Sequence, residues 1–126
     1  MSAAHDSEVA RHFYGAWHYA GTTVDGVLRA DRGDPRGIII YDPSGHMAVQ
    51  IMPGRAEAAM APASQFLAYF GRWSIDERAR TVTHHREGDL RPDGEIDAVR
   101  EYEFVGDRLI LRPVGKAQEI MWERIK

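Results

Sequence analysis

The sequence predicts an all-β fold, an antiparallel up-and-down barrel of roughly eight strands with a short N-terminal helix and a short lid helix. Three observations lead there. From Trp17 onward most of the chain alternates apolar and polar residues with a period of two, as half-buried strands do. These runs are short and separated at near-regular spacing by Gly, Pro and Asp turn signals, which suits a meander. A sheet of that many short strands avoids open edges most simply by closing on itself.

The elements follow in order. Asp6 or Ser7 can cap a helix of one or two turns ending near Tyr14, with Glu8 in its first turn and Val9 and Phe13 on one face. "GIIIYDPSGHMAVQIM" reads as two strands around a tight turn at Asp42-Pro43-Ser44-Gly45. The alanine-rich stretch from Pro53 to Ala68 breaks the strand rhythm. Pro62 suits a helix start there, with Phe66 and Tyr69 at helical spacing after it. Strands then resume as "YFGRWSID", "TVTHHREG", "AVREYEFV", "RLILRPV" and "AQEIMWERIK". Their connections are a turn at Glu77-Arg78-Ala79, a polar loop at Arg91-Pro92-Asp93-Gly94 and a turn at Gly106-Asp107.

At 126 residues the chain suits a single domain, 1–126, with 44% hydrophobic and 28% charged residues. A net charge of −3 with scattered basic residues argues against a nucleic-acid or anionic-membrane partner. There is no cysteine, hence neither a disulfide framework nor thiolate chemistry. The opening residues lack the basic and apolar regions of a secretory signal, and no run is long enough to span a bilayer, so a cytoplasmic location is expected.

Gly15-Ala16-Trp17 is the G-x-W motif of lipocalins, and Trp122-Glu123-Arg124 supplies the arginine of their last strand. Together with "GIIIYDPSGHMAVQIM", "LAYFGRWSIDE", "TVTHHRE", "VREYEFVGDRLIL" and "EIMWERI", in that order, the chain resembles the bacterial lipocalin-like domain family over nearly its whole length. The resemblance implies a barrel closed at one end around a cavity. It also implies that Gly15, Trp17 and Arg124 close the floor, the arginine lying over the indole ring in a cation–π contact. It does not fix chemistry.

Alternation assigns the side chains to faces. Met47, Val49 and Ile51 point inward, leaving His46, Ala48 and Gln50 outside, and Tyr69, Gly71, Trp73 and Ile75 share the inner face of their strand. Arg100 shares a face with Tyr102 and Phe104, opposite Glu101 and Glu103. One inward arginine is less costly than two inward glutamates, so Arg100 is expected inside, meeting a ligand oxygen, an internal carboxylate or water at the rim. Val82 anchors its strand, so His84 follows it inward with Arg86 next, and His85 turns outward.

No metal site is expected, because His84 and His85 diverge and no metal-ligand spacing occurs. A single inward His84 meets only the minimal requirement of a haem-binding barrel, and no cofactor is expected.

Three functions remain open. The first is a binding module for a small hydrophobic or aromatic molecule with a carbonyl or carboxylate end. Its walls would be Ile39, Tyr41, Met47, Val49, Ile51, Tyr69, Trp73, Tyr102, Phe104, Leu109 and Leu111, its polar contacts His84 and Arg100, with Met47, Met52 and Met60 near the mouth. The second is a cofactor-free isomerase, cyclase or lyase acting on a carbonyl-bearing, polyketide-like metabolite. There His84 would move a proton, Arg100 would stabilise oxyanion charge and Tyr102 or Tyr69 would donate a hydrogen bond. The third is a structural or interaction domain with a filled barrel. A homodimer is compatible with each.

Overall fold

The computed structural model describes residues 7–30, 33–90 and 96–126. Asp6 and the polar loop expected at Arg91–Gly94 lie outside the described residues. Helix α1 (Glu8–Phe13) is capped by Ser7, whose hydroxyl accepts from the Ala10 amide at 3.0 Å. Nine strands follow: β1 (Gly15–Val24), β2 (Val27–Leu28), β3 (Arg36–Tyr41), β4 (His46–Met52), β5 (Leu67–Asp76), β6 (Thr81–Asp89), β7 (Asp97–Val105), β8 (Arg108–Pro113) and β9 (Gln118–Arg124). All pairings are antiparallel. From β3 to β9 each strand pairs with the next, and β1 pairs with both β3 and β9, which closes eight strands into a barrel. The two-residue β2 pairs only with the end of β1 and stands outside the closure.

The tight turn at residues 42–45 forms as its composition requires. Asp42 accepts from the Ser44 amide on its carboxylate and from the Gly45 amide on its carbonyl, each at 3.0 Å, and Gly45 takes a φ of 93°. The lid differs from the expectation of a helix beginning at Pro62. Between β4 and β5 the chain forms a one-turn helix α2 (Arg55–Ala58) and a 3-10 turn at Ala63–Gln65 flanked by Pro62, while Tyr69 already belongs to β5. Nothing in α2 or the 3-10 turn is buried, so no apolar face drives a longer helix.

The barrel has a packed end and an open end. At the packed end, α1 lays Phe13 across the interior. Its ring meets those of Tyr41, Trp73, Tyr102 and Phe104 at centroid separations of 5.1, 5.6, 5.2 and 4.9 Å, mostly edge to face. The Trp17 indole N–H donates to the Phe13 carbonyl at 3.0 Å, and the Trp73 indole N–H to that of Asp42 at 3.0 Å. Arg124 completes this end. Its guanidinium lies 4.1 Å from the Trp17 ring centroid and donates to the carbonyls of Tyr14 and His12. Gly15 begins β1 beside this arginine, the nearest atom to a side chain placed there being Arg124 Nη1. No described helix is long and apolar enough to cross a membrane.

Arg124→Ala removes the cation–π contact and the charged donors to the end of α1 together. A loss of about 2–4 kcal/mol is expected, read as a lower denaturation midpoint with changed near-ultraviolet tryptophan dichroism. Arg124→Lys restores only part of it, because an ammonium cannot span both carbonyls and the ring in one plane.

Candidate functional site

Above the aromatic layer the interior opens into a cavity of about 660 Å³. Its wall is built by inward residues at the open-end halves of the strands. Ile39, Val49, Ile51, Leu67, Leu111, Ile120 and Trp122 give the apolar surface, and Thr22, Tyr69, His84, Arg86 and Arg100 the polar one. Arg29, Asp97, Lys116 and Gln118 border it nearer the loops. Exposed apolar side chains stand around the open end, Val27, Leu28, Met60, Ile96 and Val114 on four different connections, interspersed with exposed Asp25, Arg55, Glu57 and Lys116. Among the described residues no group of three or more metal-ligating side chains comes together.

His84 marks the boundary between packed and hollow barrel. It is 2% exposed, and both ring nitrogens are engaged: Nε2 with the Tyr41 hydroxyl at 2.6 Å and Nδ1 with the Tyr69 hydroxyl at 2.7 Å. Tyr41 lies below, in the aromatic layer, while Tyr69 lines the cavity. Burial, reinforced by the positive charges of Arg100 and Arg86 and by His85, holds the His84 pKa down to about 3. Burial likewise raises the pKa of both tyrosines, so all three groups are neutral near pH 7. His85 faces outward, bonded to Ser74 and Asp97. His46 sits at the exposed start of β4 against Ser44.

Two features of the wall break alternation: the pairing of β1 with β9 shifts between Tyr19 and Gly21, which brings Thr22 onto the wall, and β6 carries a bulge. Phe70 pairs with Gly88 but Gly71 pairs with Arg86, leaving Glu87 as the extra residue of a β-bulge in β6. Arg86 and Asp89, whose positions differ by an odd number, therefore both turn inward. Their side chains are 11% and 12% exposed and form an ion pair at 2.8 Å. The Arg86 guanidinium also stacks 4.1 Å from the Tyr69 ring centroid. Gly71 permits the bulge, because a Cβ there would stand 1.9 Å from the His85 carbonyl oxygen. Neither the bulge nor Asp89 is visible to a period-two reading. The only local signal is Gly88 directly after Glu87.

Arg100 enters the cavity wall from β7. Its guanidinium donates to the neighbouring Val99 carbonyl at 3.1 Å and has no carboxylate within ion-pair distance among the described residues. Its charge is felt by Tyr41, Tyr69 and His84 alike.

The residues expected on a ligand wall divide by height along the barrel. Val49, Ile51, Tyr69, His84, Arg100 and Leu111 line the cavity, as does Ile39. Tyr41, Met47, Trp73, Tyr102, Phe104 and Leu109 do not line it. The rings of Tyr41, Trp73, Tyr102 and Phe104 pack around Phe13, Leu109 is buried opposite Phe104 in the register, and Met47 is buried beside Tyr41 and Gly71. Tyr102 borders instead a separate hollow of about 230 Å³ with Arg80 and Arg112. Of the three methionines expected near the mouth, Met52 and Met60 stand at the open end, and Met47 is the second residue of its strand, at the packed end. Arg86, expected inward after His84, belongs to the wall, as do Thr22, Leu67, Ile120 and Trp122, which the strand reading does not place there.

Two predictions follow from this geometry. Gly71→Ala forces β5 and β6 apart at the bulge, with an expected loss of several kcal/mol; a change under about 0.5 kcal/mol in a urea titration would show that the strands absorb the methyl group. His84 stays neutral in the folded protein down to about pH 3, whereas the unfolded chain protonates near the ordinary 6.5. Between those values the unfolded state holds more protons, so stability falls as pH drops, by about 1.4 kcal/mol per unit at most. His84→Gln removes this slope. Between pH 6.5 and 4.5 the wild type is expected to lose roughly 2 kcal/mol more than the variant, and parallel urea midpoints would refute the assignment.

Comparison with known proteins follows the same architecture. A family model described as a lipocalin-like domain matches residues 14–125. Among solved structures, a DUF4847 family protein from Bacteroides vulgatus aligns with a TM-score of 0.57 and 16% identity, over 91% of this chain and 95% of that one, a likeness of fold. No curated protein matches the chain. With 14–125 matched, and with Gly15, Trp17 and Arg124 meeting at the packed end, the chain belongs to the lipocalin-like domain family.

Proposed function

We propose that this barrel binds a small hydrophobic or aromatic molecule, its apolar body against the aliphatic wall and its carbonyl or carboxylate end toward Tyr69, His84 and Arg100. One observation carries the reading: a cavity of about 660 Å³ whose wall mixes aliphatic side chains from Ile39, Val49, Ile51, Leu67 and Leu111 with the polar groups of Tyr69, His84 and Arg100. That volume falls in the usual range for small-molecule sites, and a few convergent polar groups in an apolar hollow are their usual composition. The apolar side chains at the open end support the same reading, since such groups exposed around a mouth favour entry of a poorly soluble ligand.

The reading with His84 as a catalytic acid or base has less support. Both of its nitrogens are taken by tyrosines, and a pKa of about 3 makes it a weak base near neutral pH. Tyr102, a donor in that reading, sits below the cavity.

The test uses the neutral fluorescent probe N-phenyl-1-naphthylamine. Saturable binding with enhanced, blue-shifted emission is expected for the folded protein. Val49→Trp fills the wall from β4 and should weaken binding at least tenfold, about 1.4 kcal/mol or more, without loss of the folded far-ultraviolet spectrum. Absence of saturable binding by the wild type would overturn the reading.

A further inference from the structure

The two hydrogen bonds of His84 carry directional information. Tyr41 is wholly buried among packed side chains and, among the described residues, its hydroxyl has one partner, His84 Nε2. A phenol hydroxyl must place its hydrogen somewhere. If Nε2 carried the imidazole proton, it would donate to Tyr41 Oη and leave the Tyr41 hydrogen without an acceptor inside the aromatic layer. A buried donor left unpaired costs about 1–3 kcal/mol. The opposite arrangement has no such cost: Tyr41 donates to Nε2, and Nδ1 carries the proton and donates to Tyr69 Oη.

Tyr69 then accepts from His84, so its own hydrogen turns away from the imidazole. Arg86, stacked on its ring, is donor-only and cannot take that hydrogen. Asp89, in register with Tyr69, has its carboxylate on Arg86 at 2.8 Å, and the direction left is the cavity, which Tyr69 lines. The second polar group there, Arg100, brings a full positive charge with no ion pair among the described residues. Among the described residues Asp97 is the carboxylate bordering the cavity; it stands toward the loops and is bonded to His85. Among the described residues the floor therefore offers an oriented O–H donor and a guanidinium, with no uncommitted carboxylate beside them to accept a ligand's own donor.

We propose that this floor selects a deprotonated oxygen acid, a carboxylate or an enolate. Tyr69 Oη–H and Arg100 are the recognition groups, and Tyr41 and His84 are positioning residues that fix the direction of the Tyr69 hydrogen. This rests on the binding reading above and sharpens it from any polar end to an anionic one. A donor set of this kind rewards an anion over a neutral acceptor, because charge-assisted hydrogen bonds are roughly twice as strong as neutral ones. An alcohol of the same shape also brings a hydrogen that finds no uncommitted carboxylate among the described residues of the floor.

The experiment displaces bound N-phenyl-1-naphthylamine with dodecanoate or dodecan-1-ol at pH 8, where the acid is ionised. Dodecanoate is expected to bind roughly ten- to a hundredfold more tightly than the alcohol. Tyr69→Phe and Arg100→Gln should each cut that ratio by about tenfold, and Arg100→Lys should keep part of it. Tyr41→Phe touches no ligand yet should also lower the ratio, because Tyr69 is then free to donate back to His84. On the unaltered protein, nitrogen-15 spectra of the imidazole should find His84 protonated at Nδ1 and bare at Nε2. Equal affinities for acid and alcohol while the probe still binds would overturn the proposal alone, as would an Nε2-protonated His84. A protein that binds no probe would overturn the cavity reading and this proposal with it.

Discussion

The contact on which the rest of the structure depends is Arg124 lying across Trp17 while donating to the carbonyls at the end of α1. A six-residue helix has no stability of its own in water, since nucleation costs more than so few hydrogen bonds return. It persists here because a strand that closes the barrel also supplies the cation that caps it. Trp17 and Arg124 are direct partners in the β1–β9 register, so the closure of the sheet and the seating of the helix are one event. What the helix delivers is Phe13, and Phe13 converts the lower half of the barrel into solid core.

That division decides where chemistry can occur. An eight-stranded barrel has an interior about as wide as two facing side chains, enough to be filled or to hold one small ligand. This one does both, at different heights. Below His84 the interior is ring against ring; above it, aliphatic side chains stop short of one another and leave the cavity. The boundary is polar because both neighbours of His84 are tyrosines, whose hydroxyls satisfy an imidazole without adding charge. Two guanidiniums sit just above. Arg86 is compensated by Asp89 and by the Tyr69 ring, while among the described residues Arg100 donates to a backbone carbonyl.

Much of this arrangement was legible in the residues, and the illegible part has a definite physical character. Alternation places a side chain inside or outside, and it does so for Val49, Ile51, Tyr69 and His84 from their apolar neighbours and for Arg100 from the greater cost of turning Glu101 and Glu103 inward. It carries no information about height. Tyr41, Met47, Trp73, Tyr102 and Phe104 are inward as their strands require, yet they lie in the packed half, because height depends on the stagger of the strands and on where α1 crosses. Neither is written in any single strand. The bulge at Glu87 is illegible for another reason: it is a relation between two strands, permitted by Gly71 on one and expressed on the other. The inward Arg86–Asp89 pair follows from it.

The same distinction between face and height bears on how a site of this kind reads from its residues. A histidine, an arginine and a tyrosine on inner faces resemble the makings of proton-transfer catalysis. Height separates the two tyrosines considered as donors: Tyr102 falls out of the cavity, while Tyr69 lines it beside the histidine. A base must offer a lone pair to the substrate and hold a proton afterwards. His84 does neither near neutral pH, for its nitrogens face two tyrosines and its surroundings penalise the cation. The features that weaken it as a base suit it as a rigid, neutral spacer. A ring pinned at both nitrogens transmits the orientation of a buried hydroxyl to one that faces the cavity, at the height where the barrel stops being solid.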